Sequence, residues 1–236
     1  MSGSMSTPTS SPTSNSGPVV RPPASAMTRY SAMEALAALL TDELVVLSLG
    51  GAVDEWYTAA PHLREASLFQ QQLGCVTPQA LGLALGLPHR RVVSLDTDGG
   101  LLFNLGVLAT LGNEQPGNLL VVVWDNERYQ SIGGPRTHTS SGTVDLAAIA
   151  RGAGVVHAST VRDVEAFAAA CAAGLADQAA PHVVVAKVDT SPEGHAAAGH
   201  PVVRRKHSDG REDTYRFVRH VEATEGVTIM GPSEHN

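Results

Sequence analysis

Cysteine is scarce in this chain. Cys75 and Cys171 are the only two in 236 residues, and they lie far apart. They form no CxxC pair, which excludes a zinc ribbon, an iron–sulfur cluster and a disulfide framework. Reduced thiols of a cytoplasmic protein are the expectation. Basic charge is also short: 16 Lys and Arg stand against 23 Asp and Glu, a net charge of −7. No basic patch addresses nucleic acid, and the acidic excess mainly favours solubility. Aromatic residues make up 4%. No apolar run approaches the roughly 20 residues of a membrane span, so no membrane partner is expected. The N-terminus shows no apolar core of a signal peptide.

What is present is 43% hydrophobic residue in a chain long enough for one sizeable core, or one domain with tails. Residues 1–27 are Ser-, Thr-, Pro- and Gly-rich. Such a segment buries too little apolar surface to offset its chain entropy, and is expected to be disordered. A domain over 28–189 then alternates. Helical patterns are expected at Ala32–Leu40, Pro78–Leu85, Leu101–Leu111, Asp145–Arg151 (with Asp145 as N-cap) and Val161–Leu175. Apolar strand patterns are expected at Leu44–Leu47, Arg91–Leu95, Leu119–Trp124, Gly154–His157 and His182–Val188. Apolar strands alternating with helices predict an α/β fold, a parallel sheet with helices on both faces. Residues 190–236 read as a polar tail with a short docking helix, spaced at Tyr215, Phe217, Val218 and Val221.

The stretch "SLDTDGGLLFNLG" carries the chemistry. Asp96 and Asp98 follow an apolar strand and run into Gly99-Gly100. A haloacid-dehalogenase-like phosphatase would use Asp96 as nucleophile and Asp98 as acid. It also needs a later Lys and acidic pair, and Lys187 and Asp189 are wrongly arranged. An EF-hand would need later acidic ligands and two flanking helices. The third option is a metal–diphosphate site with its other half downstream. That half is "VVVWDNERYQSIGG", which sets Asn126 at the end of the next strand. One right-handed βαβ crossover brings the tips of two such strands together. Hard oxygen ligands there suit magnesium, and amides opening a helix suit phosphate.

The Asp98–Asn126 pairing resembles the thiamine-diphosphate signature, an Asp in GDG followed by NN. The segments "LLFNLGVLATLGNEQPGNLLVVVWDNERYQSIGG", "THTSSGTVDLAAIARGAG" and "TYRFVRHVE" extend it. Together they resemble the thiamine-diphosphate-binding domain of the sulfopyruvate and phosphonopyruvate decarboxylases, from about Glu34 to Gly226. The resemblance implies thiamine diphosphate and Mg as cofactors. It makes Asp98, the Asn126 side chain and the Arg128 carbonyl the magnesium ligands. Gly50, Gly51, Gly99, Gly100, Gln130 and Ser131, in the turn after Tyr129, would serve the diphosphate. In "FQQQLG", Leu73 would force the folded shape of the cofactor and the Gln71 carbonyl would meet its aminopyrimidine. Gln71 and Gln72 depart from the family's Gly and Ser. Thr97 and Gly100 depart from the signature without removing a metal ligand. His138, with Arg136 and Thr139 nearby, is the candidate for substrate contact, as an anionic oxoacid would be served by a cation and a proton carrier. Cys75 is expected to pack as a small apolar residue, and His195, His200 and His207 show no ligand spacing.

In that family a Glu of a separate pyrimidine-binding domain helps to form the cofactor's ylide. The chain has one α/β domain. The resemblance therefore implies a β subunit in a hetero-oligomer, with a pyrimidine-binding α subunit supplying the Glu and a small anionic 2-oxoacid as substrate. The β subunit of a 2-oxoacid oxidoreductase, or a non-catalytic cofactor-binding module, are the alternatives.

Overall fold

The computed structural model describes residues 27–203 and 210–231. The disorder expected over 1–27 falls, apart from Met27, outside the described residues. Six strands form one sheet: β1 (Leu44–Ser48), β2 (Ser67–Gln70), β3 (Val92–Thr97), β4 (Leu119–Asp125), β5 (His157–Val161) and β6 (His182–Lys187). Their order is β2-β1-β3-β4-β6-β5 and every pairing is parallel. The helices are α1 (Arg29–Ala37), α2 (Gly51–Ala59), α3 (Val76–Gly86), α4 (Asp98–Phe103), α5 (Gly106–Glu114), α6 (Leu146–Gly152), α7 (Val164–Ala176), α8 (Pro192–Ala197) and α9 (Gly210–Glu225). None of the described helices is long and apolar enough to cross a membrane.

The central strands are mostly apolar because both faces of the sheet are covered, with Ser94 and Asp96 of β3 as buried exceptions, while the edge strand β5 is largely exposed. Successive side chains point to opposite faces. Val45, Leu47, Val93, Leu95, Val122 and Trp124 pack with Leu36 of α1, Trp56 of α2 and Phe167 and Cys171 of α7. The alternate set, Leu44, Val46, Val92, Val121, Val123 and Val185, packs with Ala80 of α3, Leu108 and Leu111 of α5, Leu146 of α6 and Phe217 and Val221 of α9. Each such aliphatic side chain contributes about 1.5–3 kcal/mol by leaving water. Burial pushes the Cys171 thiol up to about 12, so it packs as an inert apolar group.

Four local expectations change. Helix α2 and strand β2 were not anticipated. β2 is a four-residue edge strand, held to α2 by a Trp56 Nε1–H bond to Ser67 Oγ of 2.9 Å. The single helix expected at 101–111 is two, because Asn104 leaves helical geometry and its Nδ2 donates to the Gly74 carbonyl at 3.0 Å. The strand expected at Gly154–His157 begins only at His157. Gly154 has φ of +99° and Val155 N–H still bonds back to the Ala150 carbonyl, so this stretch finishes α6. The docking helix of the tail is 16 residues long and buries Phe217 and Val221, while Tyr215 faces solvent.

From β1 the chain turns to β2 on one side, then crosses through α3 to β3 on the other. The tips of β1 and β3 therefore diverge. In open parallel sheets, ligands bind in the crevice that such a reversal leaves at the carboxyl ends of the strands.

Candidate active site

Strand β3 ends at Thr97, whose side chain accepts the Gly100 N–H at 2.9 Å and so caps α4. Asp98 is the first residue of that helix. Thr97 pairs with Trp124 in the parallel register, which sets Asp98 beside Asp125 at the tips of neighbouring strands. Asp98 is fully buried. Its Oδ2 accepts from Thr137 Oγ1 at 2.6 Å and Thr139 Oγ1 at 3.1 Å. Thr139 Oγ1 also donates to Asp125 Oδ1 at 2.8 Å, and Asp125 Oδ2 meets Lys187 Nζ at 2.7 Å. Asp98 Oδ1 is buried with no hydrogen-bond partner. Burial pushes the Asp98 carboxyl up to about 6. The threonine hydroxyls oppose that rise and the negative charge of Asp125 adds to it. An orphaned carboxylate oxygen carrying that desolvation cost is a site that gains from a cation.

Asp96 is a different kind of group. It is buried against α3, where Oδ2 accepts from Thr77 Oγ1 at 2.8 Å, while its Oδ1 takes the Thr97 N–H at 2.8 Å. It fastens α3 to β3 and lies outside the cleft lining.

The segment after β4 folds back on itself. Arg128 and Arg136 form an antiparallel bridge, Tyr129 N–H donates to the Pro135 carbonyl and Thr137 N–H to the Glu127 carbonyl. The return is extended as far as Thr137 and then winds into a short 3-10 helix, His138–Ser141. Thr137 and Thr139 turn inward to Asp98, while Arg136 and His138 are exposed. Asn126 Oδ1 accepts the Arg128 N–H at 3.2 Å and keeps a second lone pair. Its Nδ2 donates to Thr190 Oγ1 at 3.0 Å, so the chain beyond β6 steadies this side chain.

These elements line an open cleft of about 430 Å³, a volume that counts the solvent space at its mouth. Gly50, Gly51, Leu73, Gly99, Asn126, Arg128, Tyr129, Gln130 and Ser131, all anticipated in the sequence, line it together. Asp98 and Gly100, also anticipated, are not among the lining residues, though they flank Gly99, which is. Gly50 has φ of +92° and is the residue from which α2 starts, so that helix opens at the cleft. A Cβ at Gly99 would strike the Tyr129 ring, and one at Gly100 would strike the Asp96 carboxylate. Neither position admits a side chain beside these amides. Gln71 and His138 are not among the lining residues; the Gln71 side chain lies against Gly210 of α9.

Some site residues were not read from the sequence. Arg29 lines the cleft, gripped by Glu55 through two bonds of 2.8 Å. A lone Arg opening a helix gives no signal of this. Thr137 carried no weight in the sequence and Thr139 only as a neighbour of His138, though their two-residue spacing was a signal of a shared face.

A doubly covered parallel domain with acidic and amide oxygens at adjacent strand tips, and glycine-opened helices at the same cleft, offers the donors that a phosphate group and a hard metal ion take. The thiamine pyrophosphate enzyme C-terminal TPP binding domain matches residues 53–186. The chain belongs to that family. It is 38% identical over 126 residues to a sulfopyruvate decarboxylase subunit beta of Methanothermobacter thermautotrophicus, covering 53% of this chain and 66% of that one. It is 42% identical over 161 residues to a phosphonopyruvate decarboxylase of Streptomyces viridochromogenes, covering 64% of this chain and 39% of that one. Among solved structures, a thiamine diphosphate-dependent 4-hydroxybenzoylformate decarboxylase of Rhodococcus jostii superposes with a TM-score of 0.59 at 18% identity, covering 77% of this chain and 36% of that one. That likeness is one of fold. The match spans about two thirds of the first relative and well under half of the second.

Proposed function

We propose that the chain is the cofactor-binding β subunit of a two-component, thiamine-diphosphate- and magnesium-dependent 2-oxoacid decarboxylase. The observation that carries this reading is the buried, unpartnered Asp98 Oδ1, on the residue between the cleft-lining Thr97 and Gly99. Asp98, the free lone pair of Asn126 and the Arg128 carbonyl would hold magnesium. The amides of Gly50, Gly51, Gly99 and Gly100, with Gln130 and Ser131, would hold the diphosphate. Arg29 adds a fixed positive charge in the same wall, and its pairing with Glu55 keeps its planar fork in place. Leu73 gives the thiazolium and pyrimidine a bulky apolar surface to fold over. Bound there, thiamine diphosphate supplies an electron sink for the carbanion left when a 2-oxoacid loses carbon dioxide.

Among the described residues no glutamate lines the cleft, and Glu55 is committed to Arg29. The carboxylate that protonates the pyrimidine would come from a second, pyrimidine-binding polypeptide, in keeping with the subunit beta named among the relatives. Phe103 and Ile132 are exposed on the segments that follow the cleft's glycines and Ser131, and offer that polypeptide an apolar rim. His138 and Arg136, exposed on the outer side of the loop, would meet the anionic substrate only in a pocket completed by the partner.

The test is calorimetric titration of thiamine diphosphate into the chain with and without magnesium, alongside native mass spectrometry of the complex purified from its own cells. Binding should require magnesium and vanish in Asp98→Ala, and a second chain should accompany the first. Cofactor binding indifferent to both magnesium and Asp98, or full decarboxylation by the chain alone, sinks the reading.

A further inference from the structure

We propose that His157, Asp177 and His182 form a second metal site, for a zinc-like transition-metal ion, at the end of the sheet opposite the cofactor cleft. His157 and His182 open β5 and β6 and are direct partners in the parallel register. Parallel pairing places both side chains on one face. Their rings stack, with centroids 4.4 Å apart and planes inclined by 11°. Asp177 follows the last turn of α7 and faces both rings. Its Oδ2 lies 2.9 Å from His182 Nε2 and 3.7 Å from His157 Nε2.

The carboxylate is preset for this. Its Oδ1 accepts the Ala179 N–H at 2.8 Å, which orients Oδ2 towards the two imidazoles. His182 is preset too. Gly174 of α7 lies directly behind it, and a Cβ there would come within 2.9 Å of the His182 Cβ. Ligands fixed by such outer contacts spend little further entropy on binding an ion.

Two imidazole nitrogens and one carboxylate oxygen are a donor set for zinc and its neighbours, at about 2.0–2.2 Å from the ion. Two donors of a tetrahedral ion at that range stand roughly 3.3 Å apart. The present separations of 2.9 and 3.7 Å bracket that value, and binding turns the stacked rings so that their nitrogen lone pairs converge on the ion. The nitrogen donors select against magnesium, which prefers an all-oxygen shell. The site is also distant from the cleft. β6 runs from His182 to Lys187, which pairs with Asp125, and five residues of strand span about 17 Å. Three protein ligands leave a fourth position, and the half-exposed His157 opens it to water or an outside ligand. An ion here ties the sheet's edge strand β5 to β6 and to the end of α7.

The experiment uses the full chain without a histidine tag, stripped with a chelator and kept in magnesium. Zinc is titrated calorimetrically, and zinc is counted by native mass spectrometry. One zinc per chain is expected, with affinity lower by roughly tenfold or more in His157→Ala and in Asp177→Asn. Zinc should raise the unfolding temperature of the wild type and leave that of both variants unchanged. His200→Ala, altering the separate His195–His200 contact, should bind zinc as the wild type does. Asp177→Asn keeps the shape of the site, so it reports even if His157→Ala folds poorly. No zinc uptake, or uptake that survives both His157→Ala and Asp177→Asn, overturns the proposal.

Discussion

Replacing Asp98 by Asn should stabilise the metal-free chain at neutral pH, although it removes a central ligand. The carboxyl of Asp98 is fully buried, and one of its oxygens has no partner. Its proton is therefore held more tightly in the folded chain than in the unfolded one. The folded state gains most from this below pH 3.8, and the gain drains away as the pH climbs to about 6. At ~1.4 kcal/mol per pH unit, a rise from 3.8 to about 6 is worth about 3 kcal/mol above neutrality. Asn carries no charge and escapes that loss. Urea unfolding of both proteins in chelator, at a series of pH values, isolates the effect as a difference curve. The variant's advantage should grow by about 3 kcal/mol between pH 4 and 7 and then level off, an upward shift of roughly 6–12 °C in unfolding temperature. With magnesium and thiamine diphosphate at a thousandfold excess over their dissociation constant, the order should reverse, since only the wild type gains about 4.1 kcal/mol from binding. A difference curve that is flat with pH refutes the claim that Asp98 is held ionised at a cost which a cation relieves.

Two further changes test the frame around that carboxylate. Thr139→Val removes one hydroxyl that serves Asp98, Asp125 and Thr137, with bonds of 3.1, 2.8 and 2.9 Å. It should cost about 1–3 kcal/mol by denaturant unfolding and weaken magnesium-dependent cofactor binding; an unchanged cofactor affinity would show that the threonine does not position Asp98. Gly112→Ala drives a methyl group into the backbone carbonyl of Ala153, in the turn between α6 and β5. Backbone cannot yield as a side chain does, so a loss of about 2 kcal/mol or more is expected, and a midpoint within ~0.5 kcal/mol of wild type would contradict the packing.

The sheet was legible because a strand buried on both faces must be apolar at every position, and "LLVVVW" admits little else. Strand β2 escaped because it is short, lies at an edge and ends in a run of three glutamines. The proposed metal ligands could be named from the sequence for a related reason. Asp98 and Asn126 close the two strands of a single crossover, so their distance apart in sequence reports their nearness in space. Thr137 is 39 residues from Asp98 and Asn126 is 64 from Thr190. Nothing local marks such pairs; the folding back of the loop at Arg128 and Arg136 creates them. The same holds for His157, Asp177 and His182, which only the register of β5 on β6 brings together.

The loop at 136–139 shows why residue chemistry alone misdirects. Within "RTHT" the reactive types are Arg136 and His138, and they drew the functional reading. The local backbone sorts these residues, not their reactivity: the return is extended as far as Thr137 and then winds into a 3-10 helix at His138–Ser141. With Thr137 N–H bonded to the Glu127 carbonyl, Thr137 and Thr139 come to the inner face, and Arg136 and His138 to the outer. The inner face meets two buried carboxylates, where a hydroxyl of small volume donates without adding charge. A His there would not fit the space of a threonine, and its second nitrogen would need a partner of its own. The outer face has no such limits, so the groups that act on a substrate belong there only if another polypeptide covers them. The backbone of one short loop thus divides the proposed labour: the threonines hold the acid assigned to the metal, while His138 and Arg136 would act only under a surface that completes the pocket.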